Sequence, residues 1–191
     1  MTIAFFKVPR TASSSISDAL PDTIAQIKHN DLANKFCLQD YQSSFALVRH
    51  PFDRYISAYN WIKKGGKKKS KTDQNEKKNL LKYKTMDDLG NNIFEFIKKC
   101  KNPIHFYPQV TWLYRSAPYT KDNLLVKHVL IYQETGLDEP LNEFLKQFDL
   151  ALTKSLPFSN KTEKMSLSDE AKERLYDYYK DDFGVFGFEP Y

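Results

Sequence analysis

The chain of 191 residues is poor in cysteine, glycine and proline, with 2, 6 and 9 of them. Two cysteines cannot build a disulfide framework, and Cys37 and Cys100 match no zinc-ligand spacing, so a reducing compartment suits them. So few glycines and prolines, without a short period, exclude collagen-like and low-complexity chains, and no internal repeat is present. Long apolar runs are also missing. Stretches such as Leu124-Leu125-Val126 fall far short of the roughly 20 residues needed to span a bilayer. The N-terminal Met1 to Pro9 lacks a basic leader and a small-residue cleavage site and already reads as a strand, from which we expect a cytoplasmic protein.

What is present argues for a packed core. Apolar residues make up 41% and aromatics 15%, too much for a disordered chain even with 28% charged residues. The length predicts one domain over residues 1–191. Basic residues exceed acidic ones by 29 to 24, a net charge of +5, and much of the excess lies between Lys63 and Lys84. This stretch reads either as a mobile, solvated lysine-rich loop over 63–84 or as a grip on a polyanion, whether acidic glycan, nucleic acid or membrane surface.

Strands alternate with helices. Ile3 to Val8 is an apolar run stopped by Pro9, and a short helix is expected from about Ser14 to Leu20, before Pro21. Phe45-Ala46-Leu47-Val48 has the unbroken apolar character of a buried parallel strand, with a helix after it from Pro51 to about Ile62. Leu89, Ile93, Phe96 and Ile97 share a helical face, as do Leu141, Phe144, Leu145 and Phe148. Leu124 to Tyr132 reads as a strand and Ser168 as the cap of a last helix. The pattern predicts an α/β domain with a mainly parallel sheet flanked by helices, binding ligands at the carboxyl ends of its strands.

Two segments carry chemistry. The first strand leads into Pro9-Arg10-Thr11-Ala12-Ser13-Ser14-Ser15-Ile16, where hydroxyls and a guanidinium join the unpaired N–H groups of a helix start, which makes either an anion cradle or a polar helix cap. It lacks the glycines of a Walker loop. In the second, Ala46-Leu47-Val48-Arg49-His50-Pro51-Phe52-Asp53-Arg54-Tyr55-Ile56-Ser57, Arg49 lies just past a strand and Ser57 within the next helix. They can converge on a second phosphate, unless Arg49 and Arg54 pair with Asp53 or other carboxylates.

In this order, the two segments resemble the 5'-phosphosulfate loop and 3'-phosphate motif of sulfotransferases that use 3'-phosphoadenosine 5'-phosphosulfate (PAPS). The likeness is closest to the carbohydrate branch that includes heparan sulfate 2-O-sulfotransferases. It extends to Lys28-His29, to His105-Phe106-Tyr107-Pro108-Gln109, to Leu156 through Thr162, and to Tyr179 through Phe188. The resemblance implies a P-loop-like fold, PAPS as cofactor and a glycan or glycoconjugate acceptor, acidic in some enzymes of the branch. It places Arg10 in the position of the family's catalytic lysine, Thr11, Ser13, Ser14 and Ser15 around the 5'-phosphosulfate, and Arg49 with Ser57 at the 3'-phosphate. Arginine keeps the charge that braces the leaving phosphate but does not readily donate a proton. Lys7, on the same strand, is a second candidate catalytic cation.

Sulfuryl transfer to a hydroxyl needs a base, and histidine suits the task with an ordinary pKa of roughly 6.5. The resemblance favours His29 as that base. His105, beside Phe106 and Tyr107, is a candidate for the acceptor pocket, while His50 reads as a spacer and His128 as a structural residue. Two other readings share parts of this pattern: a kinase-like phosphoryl transferase, and a catalytically impaired polyanion-binding module. Nucleic acid is the less expected partner and no metal site is expected.

Overall fold

A computed structural model of the chain describes residues 2–29, 37–133, 136–156 and 166–191. Its strands are β1 (Ile3–Lys7), β2 (Ile24–Lys28), β3 (Ser43–Val48) and β4 (His128–Ile131). Its α-helices are α1 (Ser13–Ala19), α2 (Pro51–Lys63), α3 (Lys71–Leu80), α4 (Met86–Asn91), α5 (Ile93–Lys99), α6 (Val110–Leu113), α7 (Asp138–Lys146) and α8 (Asp169–Phe186). They fall into two compact units, Met1–Arg49 with Gln109–Asn160, and His50–Pro108 with Lys161–Tyr191. Each unit draws on two separate stretches of chain, a division that the expectation of one domain over 1–191 did not contain.

The first unit holds the sheet. All pairings are parallel, in the order β2-β1-β3-β4, which makes the chain α/β as expected. The central β1 and β3 are buried almost throughout, which is why Ile3–Phe6 and Phe45–Val48 are unbroken apolar runs rather than alternations. Phe5 stacks on Phe45 at 5.0 Å and Phe45 meets Phe144 of α7 at 4.9 Å, so the sheet and α7 share one core. Edge strand β2 escaped the sequence reading because Ile24-Ala25-Gln26-Ile27-Lys28 is short and only half buried. At the other edge, the expected strand from Leu124 to Tyr132 pairs only over His128–Ile131. Leu124 bridges to Tyr114 instead, and the Leu125 N–H donates to the Leu113 carbonyl.

The strand order fixes where a ligand can sit. From β1 the chain passes to β2 on one side, then returns to β3 on the other. The loops leaving β1 and β3 therefore diverge at a topological switch point, where parallel sheets open a crevice at their carboxyl ends.

Helices build the second unit. Pro51 opens α2 and His50 caps it, with Nδ1 accepting from the Phe52 N–H at 3.3 Å. Ser168 caps α8 by accepting from the Ala171 N–H, Asp169 and Glu170 complement the dipole, and Gly187, at φ 69°, ends the helix in the left-handed conformation. The core is aromatic, with Phe52, Tyr55, Tyr59, Phe96, Phe106 and Tyr179 almost without solvent contact. Burial pushes the Tyr55 and Tyr179 hydroxyls well above their ordinary pKa, so both stay protonated. Tyr55 donates to the Met86 carbonyl at 2.7 Å and Tyr179 to the Phe106 carbonyl at 2.8 Å.

Residues 63–84, expected as a loop, contain the ten-residue helix α3. Ser70 caps it, accepting from the Asp73 N–H at 3.2 Å and donating to Asp73 Oδ1 at 2.5 Å. The inward face of α3 is polar, with Asp73, Glu76 and Asn79 beside Leu80, so a search for apolar periodicity finds no helix here. Gly66, at φ 55°, passes so close to Asp73 that a Cβ would lie 2.6 Å from its carboxylate, and the Lys67 N–H donates to Asp73 Oδ2 at 2.8 Å. The lysine-rich turn is thus tied to the helix that follows. Among the described residues no helix is long and apolar enough to cross a membrane.

Candidate active site

Three adjacent parallel strands end in the residues that carry chemistry. Lys7 pairs in register with Lys28, so His29 and Val8 begin the exits from neighbouring strands, and Arg49 follows directly on Val48 at the end of β3. Neighbouring strands lie about 4.8 Å apart, which sets the exits of β2 and β3 about 10 Å from each other with the β1 loop between them. The first unit therefore sets Lys7, Arg10, Thr11, Ser13, Ser14, Ser15, His29 and Arg49 at or beyond the carboxyl ends of three adjacent strands or on the helix that follows the first of them.

The β1 loop is built without glycine, yet holds two left-handed residues. Arg10 and Ala12 have φ 68° and 58°, the left-handed region that side chains disfavour. Thr11, between them, is fully buried and its hydroxyl donates to the Val8 carbonyl at 3.1 Å, which braces the turn. Ser13, Ser14 and Ser15 form the first turn of α1, with Ser14 exposed and the other two partly so. No carboxylate occurs from Lys7 to Ser17, so the donor set is cationic, hydroxylic and amide, as an anionic ligand requires.

Arg49 is held at both ends. Its guanidinium lies over the Tyr132 ring, 5.0 Å from the centroid, and its backbone is clasped by Gln109. Gln109 Oε1 accepts from the Arg49 N–H at 2.8 Å, and Nε2 donates to the Arg49 carbonyl at 2.9 Å. Gln109 is fully buried and immediately precedes α6, whose Trp112 meets His29 in a T-shaped contact at 5.4 Å. Sequence reasoning assigned no role to Gln109 or Trp112; the only pointer was the Pro108-Gln109 step within the family resemblance.

The second unit holds Ser57 and His105. Ser57 lies on α2, buried to 7% exposure. His105 is tied to α3, with Nδ1 2.5 Å from Glu76 Oε2 and its backbone N–H donating to Glu76 Oε1 at 3.0 Å. Glu76 is wholly buried, so this pair anchors the segment before Phe106. His50 is a helix cap rather than a spacer: Nε2 donates to the Glu189 carbonyl at 2.9 Å and Tyr191 stacks on the ring at 4.3 Å. Arg54 is fully buried with Nη2 donating to the Tyr107 carbonyl at 2.7 Å, while Asp53 accepts from the Tyr191 hydroxyl at 2.6 Å. His128 is exposed on β4 against Phe144, in keeping with a structural role.

A glycine-free loop after the first of several parallel strands, with a clasped arginine after its neighbour, sets cationic and hydroxylic side chains at the switch point of an α/β sheet. The model of the sulfotransferase family matches residues 2–189, and the chain belongs to that family, whose members are transferases of sulfuryl groups to an acceptor. No curated protein and no solved structure matches the chain.

Proposed function

We propose that the protein transfers the sulfuryl group of PAPS to a hydroxyl of a glycan or glycoconjugate. The observation that carries this reading is the convergence of His29, the Arg10 loop and Arg49 at the carboxyl ends of the adjacent strands β2, β1 and β3. The donor supplies a sulfuryl group on a good leaving group, its 5'-phosphate. Arg10, with Lys7 as a second cation, stabilises the charge that builds on the bridging oxygen as its bond to sulfur breaks. The turn braced by Thr11 and the hydroxyls of Ser13, Ser14 and Ser15 hold the 5'-phosphosulfate, while Arg49 and Ser57 take the 3'-phosphate. His29 accepts the proton of the acceptor hydroxyl as its oxygen bonds to sulfur. His105, oriented by Glu76, serves the acceptor side.

An acidic acceptor fits the surface charge of the second unit. Asp73 and Glu76, the only carboxylates between Lys63 and Lys84, are both buried and hydrogen-bonded, whereas Lys63, Lys64, Lys67, Lys68, Lys69, Lys71 and Lys78 are exposed. The solvent side of the segment is therefore of one sign.

Calorimetry with 3'-phosphoadenosine 5'-phosphate (PAP), AMP and ATP tests the reading. PAP should bind far more tightly than the other two, and Arg49→Ala should weaken PAP by about 10- to 100-fold, the loss of a charge-assisted contact. Equal affinity for AMP and PAP would overturn it. In sulfuryl-transfer assays Arg10→Ala should be inactive and Arg10→Lys active, and His29→Ala should lower kcat by about 100-fold with PAP affinity unchanged.

A further inference from the structure

We infer that Trp112 is a specificity-determining residue that stacks on the pyranose ring of the acceptor. The inference rests on the sulfotransferase reading above, in which His29 takes the acceptor proton. Trp112 lies in the same unit as His29, its ring centroid 5.4 Å away with the planes at 72°. A T-shaped contact engages one face or one edge of an indole, and Trp112 remains partly solvent-exposed, as does the neighbouring Thr111. The indole thus borders the base that the acceptor hydroxyl must reach.

The helix that carries it is firmly placed. Val110 and Leu113 anchor α6 in the core, and the backbone N–H of Trp112 donates to the carbonyl of Gln109, whose side chain clasps Arg49. One short element therefore sets both the arginine assigned to the donor and the aromatic ring beside the base. A large, rigid ring with apolar faces suits a ligand that presents C–H groups on one face. A β-linked pyranose in the gluco configuration has that shape, since its equatorial hydroxyls leave both faces lined with C–H bonds. The ring holds the sugar in position; the proton passes to His29, not to the indole.

The test is calorimetric titration of the PAP-saturated protein with hyaluronan hexasaccharide and with chitohexaose, acidic and neutral β-linked chains. Wild type, Trp112→Ala and Trp112→Phe are compared, with PAP affinity and melting temperature measured for each. Wild type should bind at least one of the two sugars, and Trp112→Ala should weaken that binding at least about tenfold with PAP affinity held within about twofold. Trp112→Phe, which keeps an aromatic face, should recover most of the loss. Unchanged sugar binding in Trp112→Ala, an equal loss of PAP and sugar, failure of phenylalanine to restore binding, or no binding of either sugar to wild type would overturn the inference. A wild type that fails to bind PAP would instead overturn the sulfotransferase reading, so the two failures are distinct.

Discussion

Removing the side chain of Gln109 isolates how Arg49 is held without touching its charge. The Gln109 carboxamide meets both the N–H and the carbonyl of Arg49, at 2.8 and 2.9 Å, in a fully buried position. Gln109→Ala takes that partner from two buried peptide groups at once. Each such loss costs about 1–3 kcal/mol, so the sum is about 2–6 kcal/mol, toward the lower end if water enters the space left behind. Against a total stability of about 5–15 kcal/mol this is a large fraction. At about 2–4 °C per kcal/mol for a chain of this size, the melting temperature should fall by about 4–24 °C. Gln109→Glu should do similar harm for a different reason: it still accepts from the Arg49 N–H but sets a carboxylate against the Arg49 carbonyl with no donor between them. Melting curves by circular dichroism give the stability, and PAP titration well below the transition gives the function, where we expect a loss of about tenfold because Arg49 is no longer fixed. A Gln109→Ala protein that melts within about 1 °C of wild type and binds PAP equally well would refute the clasp.

Three further outcomes follow from local geometry. Ala12→Gly, at φ 58°, should stabilise the fold by about 0.5–1 kcal/mol, because relief of left-handed strain outweighs the added freedom of the unfolded chain; a lowered melting temperature would contradict this. Burial raises the pKa of Asp73, but hydrogen bonds from the Lys67 N–H, the Ser70 hydroxyl and the Trp61 indole outweigh it and hold the carboxyl below its usual value. Its contribution is then complete above the ordinary carboxylate pKa of about 3.9 and is lost as pH falls through the lower folded value, so the urea midpoints of wild type and Asp73→Asn should differ at pH 6 and converge on acidification. Burial pushes the Cys100 thiol up to about 11, so in a Cys37→Ser background it should resist a thiol reagent at pH 8 until denaturant is added, and rapid labelling of the native protein would show the site to be open.

The parts of the fold legible in the sequence are those where burial is apolar and continuous. Ile3 to Val8 and Phe45 to Val48 announce themselves because both faces of a central parallel strand are covered, and α8 because its cap, acidic first turn and terminal glycine agree. Short β2 has too little of any pattern, and α3 hides its buried face behind Asp73, Glu76 and Asn79. In the candidate site, the family resemblance singles out Arg10, His29 and Arg49, and the sheet order sets the three segments that carry them at the ends of adjacent strands. Gln109 and Trp112 were not legible, because a glutamine that binds backbone and a tryptophan at a half-buried edge have no signature until the strands they touch are in place.

Why the first loop should hold strain at all bears on what it does. Left-handed residues other than glycine cost about 1–2 kcal/mol each and survive only where the surroundings over-determine them. Here the surroundings are explicit: Pro9 is buried, Thr11 is buried and bonded back to Val8, and Ile16 donates to the Ala12 carbonyl to start α1. A loop that only had to connect β1 to α1 would gain by placing glycine at either strained position. The price of keeping Arg10 there is a φ of 68°, and what it secures is a cationic side chain in the loop that leaves β1, the strand between β2 and β3. Glycine at the same position would relax the backbone and remove the only cation between Val8 and Ile27, so the strain and the charge are retained together.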